Sequence, residues 1–178
     1  MTNPGKLTYA DLVATPEDGK RYEIIDGKLY VNGSPSTYHQ QVSGRLLYQL
    51  YTKVELTGRG WVIQARIDVL LGVNDIVDPD LIVILQAHHA IIKEPNIQGV
   101  PDLIVEILSP STRNVDRGEK RRLYERYGVP EYWLVDPDTH TVEQLVLERE
   151  GYGLARSCRE AIELAVLPDV RVDLTQVW

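Results

Sequence analysis

Residues 101–137 read PDLIVEILSPSTRNVDRGEKRRLYERYGVPEYWLVDP, and this stretch decides the fold. Side chains alternate along a strand, so in the run from Leu103 to Leu108 one face carries Leu103, Val105 and Ile107 and the other Ile104, Glu106 and Leu108. A strand apolar on both faces belongs in a sheet covered on both sides. The segment RNVDRGEKRRLYERYGV then reads as a helix with Leu123, Tyr124 and Tyr127 on its buried stripe, closed by Gly128 and Pro130. EYWLVDPDTHTVEQLVLERE reads as a hairpin over Asp136-Pro137-Asp138.

Upstream, VDPDLIVILQ is a near-continuous β-branched run, and WVIQARIDVLLG alternates in part. The string PDLIV occurs at Pro79 and again at Pro101; five residues are too few for a repeat, and they read as two strands in the same environment. HHAIIKEPNIQG reads as a loop or broken strand. The segment STYHQQVSGRLLYQLYTKVEL places Val42, Leu46, Leu50 and Val54 on one face of a helix of about five turns, ended by Gly58 and Gly60. RYEIIDGKLYVNG is a hairpin around Asp26-Gly27, the pair favoured where both turn centres need positive φ. A short helix from Tyr9 to Ala14 precedes it, and the tail from Gly151 to Trp178 holds short strand-like pieces. The order predicts an α/β (α+β) architecture, a mixed β-sheet flanked by two larger helices, with residues 1–178 as one domain.

Composition agrees with an ordinary globular chain: 178 residues, 43% hydrophobic and 25% charged, enough for a core without staples. Nineteen basic against twenty-six acidic side chains give a net charge of −7 and argue against coating nucleic acid by bulk charge, though not against a local basic groove. The single Cys158 excludes an internal disulfide and a cysteine-built zinc site, and suits a reducing cytoplasm. No window reaches the roughly 20 apolar residues of a membrane span, and MTNPGKLTYADL lacks the order of a signal peptide. The expectation is a cytoplasmic protein with no membrane partner.

Three charges break the hydrophobic pattern. Glu106 shares its face with Ile104 and Leu108, so it is either paired in the core or at an edge, because an unpaired buried charge costs several kcal/mol. Lys120 shares the face of Leu123, Tyr124 and Tyr127, and either meets an anion or snorkels past the rim. Asp116 is a partner for Lys120 or the N-cap of the helix, with Glu119 completing a capping box. Asp80 opens the run from Leu81 to Leu85. Asp102 lies roughly 13 Å from Glu106 along its strand, whereas paired strands are only about 4.8 Å apart. Asp80 with Glu106 therefore suits a hard-oxygen site of the kind Mg²⁺ uses, and Asp78 and Asp102 read as turn residues.

The runs PDLIVIL and PDLIVEILSPSTRNVDRGEKRRLYERYGVPEYWLVDP, with RYEIIDGKLYV and YHQQV upstream, resemble the restriction-endonuclease-like Uma-two family of the PD-(D/E)xK nuclease superfamily. The resemblance runs from about Leu7 to Leu174. It implies a metal-dependent endonuclease acting on DNA, with Mg²⁺ or Mn²⁺ as cofactor and a homodimer on two-fold DNA, although the sequence marks no interface. Pro79-Asp80 matches the first acidic element and Glu106 the second, while Leu108 stands where the superfamily usually has lysine. Lys120 on the following helix is the residue that would replace it. The implied metal ligands are Asp80, Glu106 and the backbone carbonyl of Ile107, with Glu23 as a third acid. His39 also falls in a segment like the family's motifs; an edge-strand charge for Glu23 and a core-edge histidine for His39 are the alternatives. Arg113, Arg117, Arg121 and Lys120 form the candidate basic cluster, against a solvated helix face, and Lys120→Ala is expected to abolish nicking with the fold intact. Rival readings are a non-catalytic nucleic-acid-binding or interaction protein and a phosphohydrolase with a closed small-substrate pocket. His88-His89 reads as surface, and Ser109 and Ser111 as turn or cap residues.

Overall fold

The computed structural model describes residues 5–178. The stretch read as lacking a signal peptide begins in residues 1–4, which lie outside the described residues. In chain order the elements are α1 (Tyr9–Val13), β1 (Arg21–Ile25), β2 (Lys28–Asn32), α2 (Thr37–Leu50), β3 (Gly60–Gln64), β4 (Val69–Gly72), β5 (Asp75–Val77), β6 (Leu81–Leu85), β7 (Ile97–Gln98) and β8 (Leu103–Ile107). They continue as α3 (Arg113–Val115), α4 (Arg121–Tyr127), β9 (Glu131–Asp136), β10 (Thr141–Glu148), β11 (Gly151–Tyr152), β12 (Arg156–Cys158), β13 (Ala161–Glu163) and β14 (Arg171–Asp173). A wide π turn, Tyr51–Glu55, prolongs α2, and another, Asp116–Lys120, joins α3 to α4. The segment read as a loop or broken strand holds a 3-10 turn, Gln86–Ile91, before β7. Among the described residues no helix is long and apolar enough to cross a membrane.

The central sheet runs β11-β10-β9-β8-β6-β3, with β12 also on β10. Its middle strand is β8, antiparallel to β6 and parallel to β9, and the parallel pair is joined by the α3–α4 crossover that parallel strands require. The two PDLIV strings pair with each other: Leu81 lies opposite Val105, Ile82 opposite Ile104 and Val83 opposite Leu103. A second sheet, β2-β1-β5-β4-β7, carries the N-terminal hairpin, whose turn residues Asp26 and Gly27 take φ of 52° and 75°. That geometry is the reason for the Asp-Gly pair.

Both faces of β8 are covered, as its composition demands. On one face Val42, Leu46 and Leu50 of α2 and Val54 of the π turn that prolongs it pack on Leu103, Val105 and Ile107. The tail adds Ile162, Leu164, Val172 and Val177 to this core, so the poorly signalled C-terminal segment is its lid. On the other face Ile104 and Leu108 meet Leu123 and Tyr124 of α4 and Ile25, Val69 and Val77 of the second sheet. The layers are therefore α2 with the tail, the central sheet, and α4 with the second sheet. Glu106 points into this last interface, where two sheets and a helix converge.

Candidate active site

Asp80 precedes β6 by one residue and Glu106 lies near the end of β8. Carrying the observed register one step further sets them directly opposite each other, so they share a face with Cβ atoms about 4.5–5.5 Å apart. Asp80 is enclosed by three groups. Arg21 Nη1 donates to Oδ1 at 2.7 Å, while the Ile107 N–H, at 2.8 Å, and His39 Nε2, at 3.2 Å, meet Oδ2. Burial by itself pushes the Asp80 carboxyl up, but the His39 hydrogen bond and the Arg21 charge outweigh it and hold the carboxyl below its usual range. His39 Nε2 also lies 3.1 Å from the Ile107 carbonyl oxygen. With two acceptors in front of it, that nitrogen carries the hydrogen.

Glu106 is only 2% exposed. Its Oε1 accepts from Lys120 Nζ at 2.9 Å and from Tyr124 Oη at 2.7 Å. Lys120, 1% exposed, also reaches Glu23 Oε1 at 2.7 Å and lies 3.6 Å from Asp116 Oδ1. Lys120 therefore does not snorkel. Glu23 is not an edge charge either: it is fully enclosed, its Oε1 also accepts the Asp78 N–H at 2.9 Å, and its Oε2 accepts from Asn32 Nδ2 at 2.7 Å. Four carboxyl groups (Glu23, Asp80, Glu106 and Asp116) thus face two fixed cations, Arg21 and Lys120. Burial, reinforced by Asp116, Asp80 and Glu23 and opposed by Lys120, pushes the Glu106 carboxyl well above its usual range. Lys120 is pulled down by burial but raised further by Glu106, Glu23 and Asp116, so it stays charged.

All the candidate residues Asp80, Glu106, Lys120, Glu23, His39 and Ile107 thus meet in one cluster. Leu108, in the usual lysine position, is packed in the core beside Ile104, and Lys120 reaches Glu106 from the π turn instead. That turn corrects the reading of Asp116. It is no N-cap but a buried residue inside the helical segment, which starts after Thr112. The basic cluster is corrected too. Arg113 pairs with Asp136 at 3.1 Å and Asp138 at 2.9 Å, and Arg117 forms a fork on Glu143 with both bonds at 2.8 Å. With Lys120 inside, Arg121 is the member of that group on the surface without an ion pair among the described residues. Asp102 and Asp78, read as turn residues, lie outside the strands and are buried structural acceptors. Asp102 takes the Leu85 N–H at 2.7 Å and His88 Nδ1 at 2.7 Å, and Asp78 takes the Ile67 N–H at 3.2 Å. Burial lifts Asp78 to about 6. His88 and His89 lie on the surface in the 3-10 turn, and Ser109 bonds to Thr112 in the turn after β8.

The residue that the sequence reading missed is Arg21. The usable signal was its spacing: Arg21 and Glu23 are two apart on one strand, hence on one face, and a buried Glu23 draws Arg21 inward with it. Tyr124, read only as part of an apolar stripe, is a donor to Glu106 as well.

Among the described residues no three His, Cys, Asp or Glu side chains converge as a ready metal cage. Asp80, Glu106 and the Ile107 carbonyl are hard oxygen donors of the kind Mg²⁺ takes, one or two carboxylates with water and phosphate completing its shell, and in this arrangement Arg21 occupies Asp80 Oδ1 while Lys120 and Tyr124 occupy Glu106 Oε1. Two clefts reach this corner, one of 280 Å³ lined by Arg21, His39, Ser109 and Thr112, the other of 180 Å³ lined by Arg21, His39, Gln64 and Asp80.

A crystal structure of "a putative nuclease belonging to DUF820" from Anabaena variabilis ATCC 29413 shares this fold, with a TM-score of 0.79 at 17% identity over 96% of this chain and 97% of that one. No curated protein matches the chain. Residues 8–175 match the model of Uma2, described as "Putative restriction endonuclease". A match over nearly the whole sequence, on a fold shared with a DUF820 protein, makes this chain a member of the Uma2 family.

Proposed function

We propose that the protein is a metal-dependent nuclease that hydrolyses DNA phosphodiester bonds, with Mg²⁺ or Mn²⁺ held by Asp80, Glu106 and the Ile107 carbonyl. The observation that carries this reading is the placement of Asp80 and Glu106 one register step beyond the Leu81–Val105 pair of β6 and β8, with the Ile107 N–H bonded to the first and Lys120 to the second. A divalent ion bound there supplies Lewis-acid polarisation of the phosphate and an acidified water. The chain's own groups prepare the ligands. His39 Nε2 and the Ile107 N–H fix the Asp80 carboxylate, while Lys120 and Tyr124 fix Glu106 Oε1. Lys120, enclosed by three acids, acts as a positioning residue through Glu106 and does not touch substrate.

One observation favours a second reading, a nucleic-acid-binding protein without turnover: Glu106 and Lys120 are both cut off from solvent. Incubation of supercoiled plasmid with Mg²⁺ or Mn²⁺ separates the two. Nicking by the wild type that Asp80→Asn abolishes supports the nuclease; DNA binding without nicking in either ion supports the second reading and overturns the first.

A further inference from the structure

Arg21 stands between the clefts and the buried acids. Its side chain is 11% exposed and borders both clefts, and its Nη1 holds Asp80 Oδ1. Its Nε is enclosed and has no hydrogen-bond partner among the described residues. An enclosed donor left unsatisfied is costly, and a guanidinium has five N–H groups to place. His39, 6% exposed, is on the walls of both clefts, where its Nε2 is committed to Asp80 and the Ile107 carbonyl. The larger cleft also collects the hydroxyls of Ser109, Ser111 and Thr112 and the first turn of α2. This wall is rich in donors and carries a cation whose hydrogen-bonding capacity is not filled.

The same guanidinium occupies the Asp80 oxygen that faces it. A divalent ion and Arg21 repel one another at that carboxylate, so the ion binds well only when Arg21 has moved. A buried guanidinium moves readily only toward another anion. We infer that Arg21 is an exchangeable counter-ion: it neutralises Asp80 until a nucleic-acid phosphodiester in the Ser109–Thr112 cleft takes its guanidinium, which frees Asp80 for the divalent ion. DNA and metal then bind cooperatively, each raising the affinity for the other by the same factor. This inference rests on the nuclease reading. Planar bidentate pairing suits arginine to phosphate as well as to carboxylate, whereas a lysine is a point charge on a flexible stem.

Calorimetric titration with Ca²⁺, alone and with a saturating phosphorothioate DNA duplex, tests it on wild type, Arg21→Gln, Arg21→Lys and Asp80→Asn, with circular dichroism to confirm folding. The wild type is expected to bind Ca²⁺ about tenfold more tightly with duplex than without, within the usual range of allosteric coupling. Arg21→Gln is expected to bind Ca²⁺ about tenfold more tightly than wild type without duplex, and to gain nothing further from it. Ca²⁺ affinity in Arg21→Gln equal to wild type, or full coupling in Arg21→Gln, overturns the inference and leaves the nuclease reading standing. If Arg21→Gln does not fold, Arg21→Lys decides: wild-type Ca²⁺ affinity with weakened coupling supports the exchange, and undiminished coupling overturns it. Ca²⁺ binding that Asp80→Asn does not alter, or none at all, overturns the metal site and the inference with it.

Discussion

Lys120 Nζ and Glu106 Oε1 lie 2.9 Å apart in the interior, on elements that the chain brings together only through the α3–α4 crossover. The lysine sits at the end of the π turn Asp116–Lys120, and one α-helical turn later Tyr124 gives its hydroxyl to the same oxygen. A π turn adds a residue to the helical repeat and is frequent at functional sites. Here its two ends, Asp116 and Lys120, both face inward, while Arg117 leaves toward Glu143.

Removing the lysine charge is therefore expected to do more than stop turnover. Lys120→Ala leaves Glu23, Glu106 and Asp116 facing one another without their cation, and breaking a buried ion pair in this way costs about 3–5 kcal/mol. Urea unfolding is the measurement. The double variant Glu106→Gln with Lys120→Met is expected to lose clearly less than the sum of the two single variants, because each removes the other's reason for being charged. Additive losses would show that the two groups are not coupled. A loss of that size is a large part of the roughly 5–15 kcal/mol that holds a domain together, so the expectation that Lys120→Ala leaves the fold intact is decided by the same measurement.

His39→Ala tests the positioning of Asp80. Its Nε2 meets both Asp80 Oδ2 and the Ile107 carbonyl, two of the proposed ligands. Loss of such an outer partner commonly lowers metal affinity about 10–100-fold, and Mn²⁺ binding followed by paramagnetic resonance should register it. The fold should persist, since His39 lies in the first turn of a long helix whose cap at Ser36 is retained. Unchanged Mn²⁺ affinity would make His39 a packing residue only.

Much of this arrangement was legible because local chemistry and tertiary context agree. The Asp26-Gly27 pair announces its turn, and the six-residue run from Leu103 to Leu108 could only be a central strand, which made Glu106 conspicuous. Lys120 was found by helical spacing. The ends of the second helical segment, Arg113 and the left-handed Gly128, were legible, but the place of Asp116 was not, because it satisfies the capping rule locally and is drawn inward by Lys120. Arg21 was harder to read: at the start of a short strand it looks like surface, its shared face with Glu23 is the one local signal, and its partner Asp80 lies fifty-nine residues away. The tail was weak in periodicity because its strands are short, so its role as a lid rests on Ile162, Leu164, Val172 and Val177 meeting α2.

The pairing of Arg113 and Arg117 yields a prediction about nucleic acid. Each lysine or arginine that meets a phosphate contributes about 0.9 to the slope of log affinity against log salt. Arg117 is already committed to Glu143 in a two-bond fork, so Arg117→Ala is expected to leave that slope unchanged in a fluorescence-anisotropy titration with duplex DNA. It should also cost no more than about 1 kcal/mol of stability, as partly exposed pairs do. A slope reduced by about one would mean that Glu143 releases the arginine to DNA.

Tyr127 ties α4 to the second sheet, and the consequence is a defined alkaline limb of stability. Its Oη donates to Asp75 Oδ2 at 2.7 Å, and the other carboxyl oxygen of Asp75 takes the Asp26 N–H at 2.7 Å, so the helix grips the hairpin that carries Arg21 and Glu23. Burial first, then the hydrogen bond to Asp75 and its charge, lift the phenol to about 12. Unfolded tyrosine titrates near 10. A phenol with the higher value in the folded state holds its proton more tightly there, so its stabilisation is complete below about pH 10 and fades as the pH rises through about 12. The stability difference between wild type and Tyr127→Phe, from urea midpoints taken across this range, is expected to be constant up to pH 10 and to shrink from 10 to 12. The remaining tyrosines lower both curves together and cancel in the difference. A difference that stays constant through pH 12 would mean that the Tyr127–Asp75 bond contributes nothing to holding the hairpin in place.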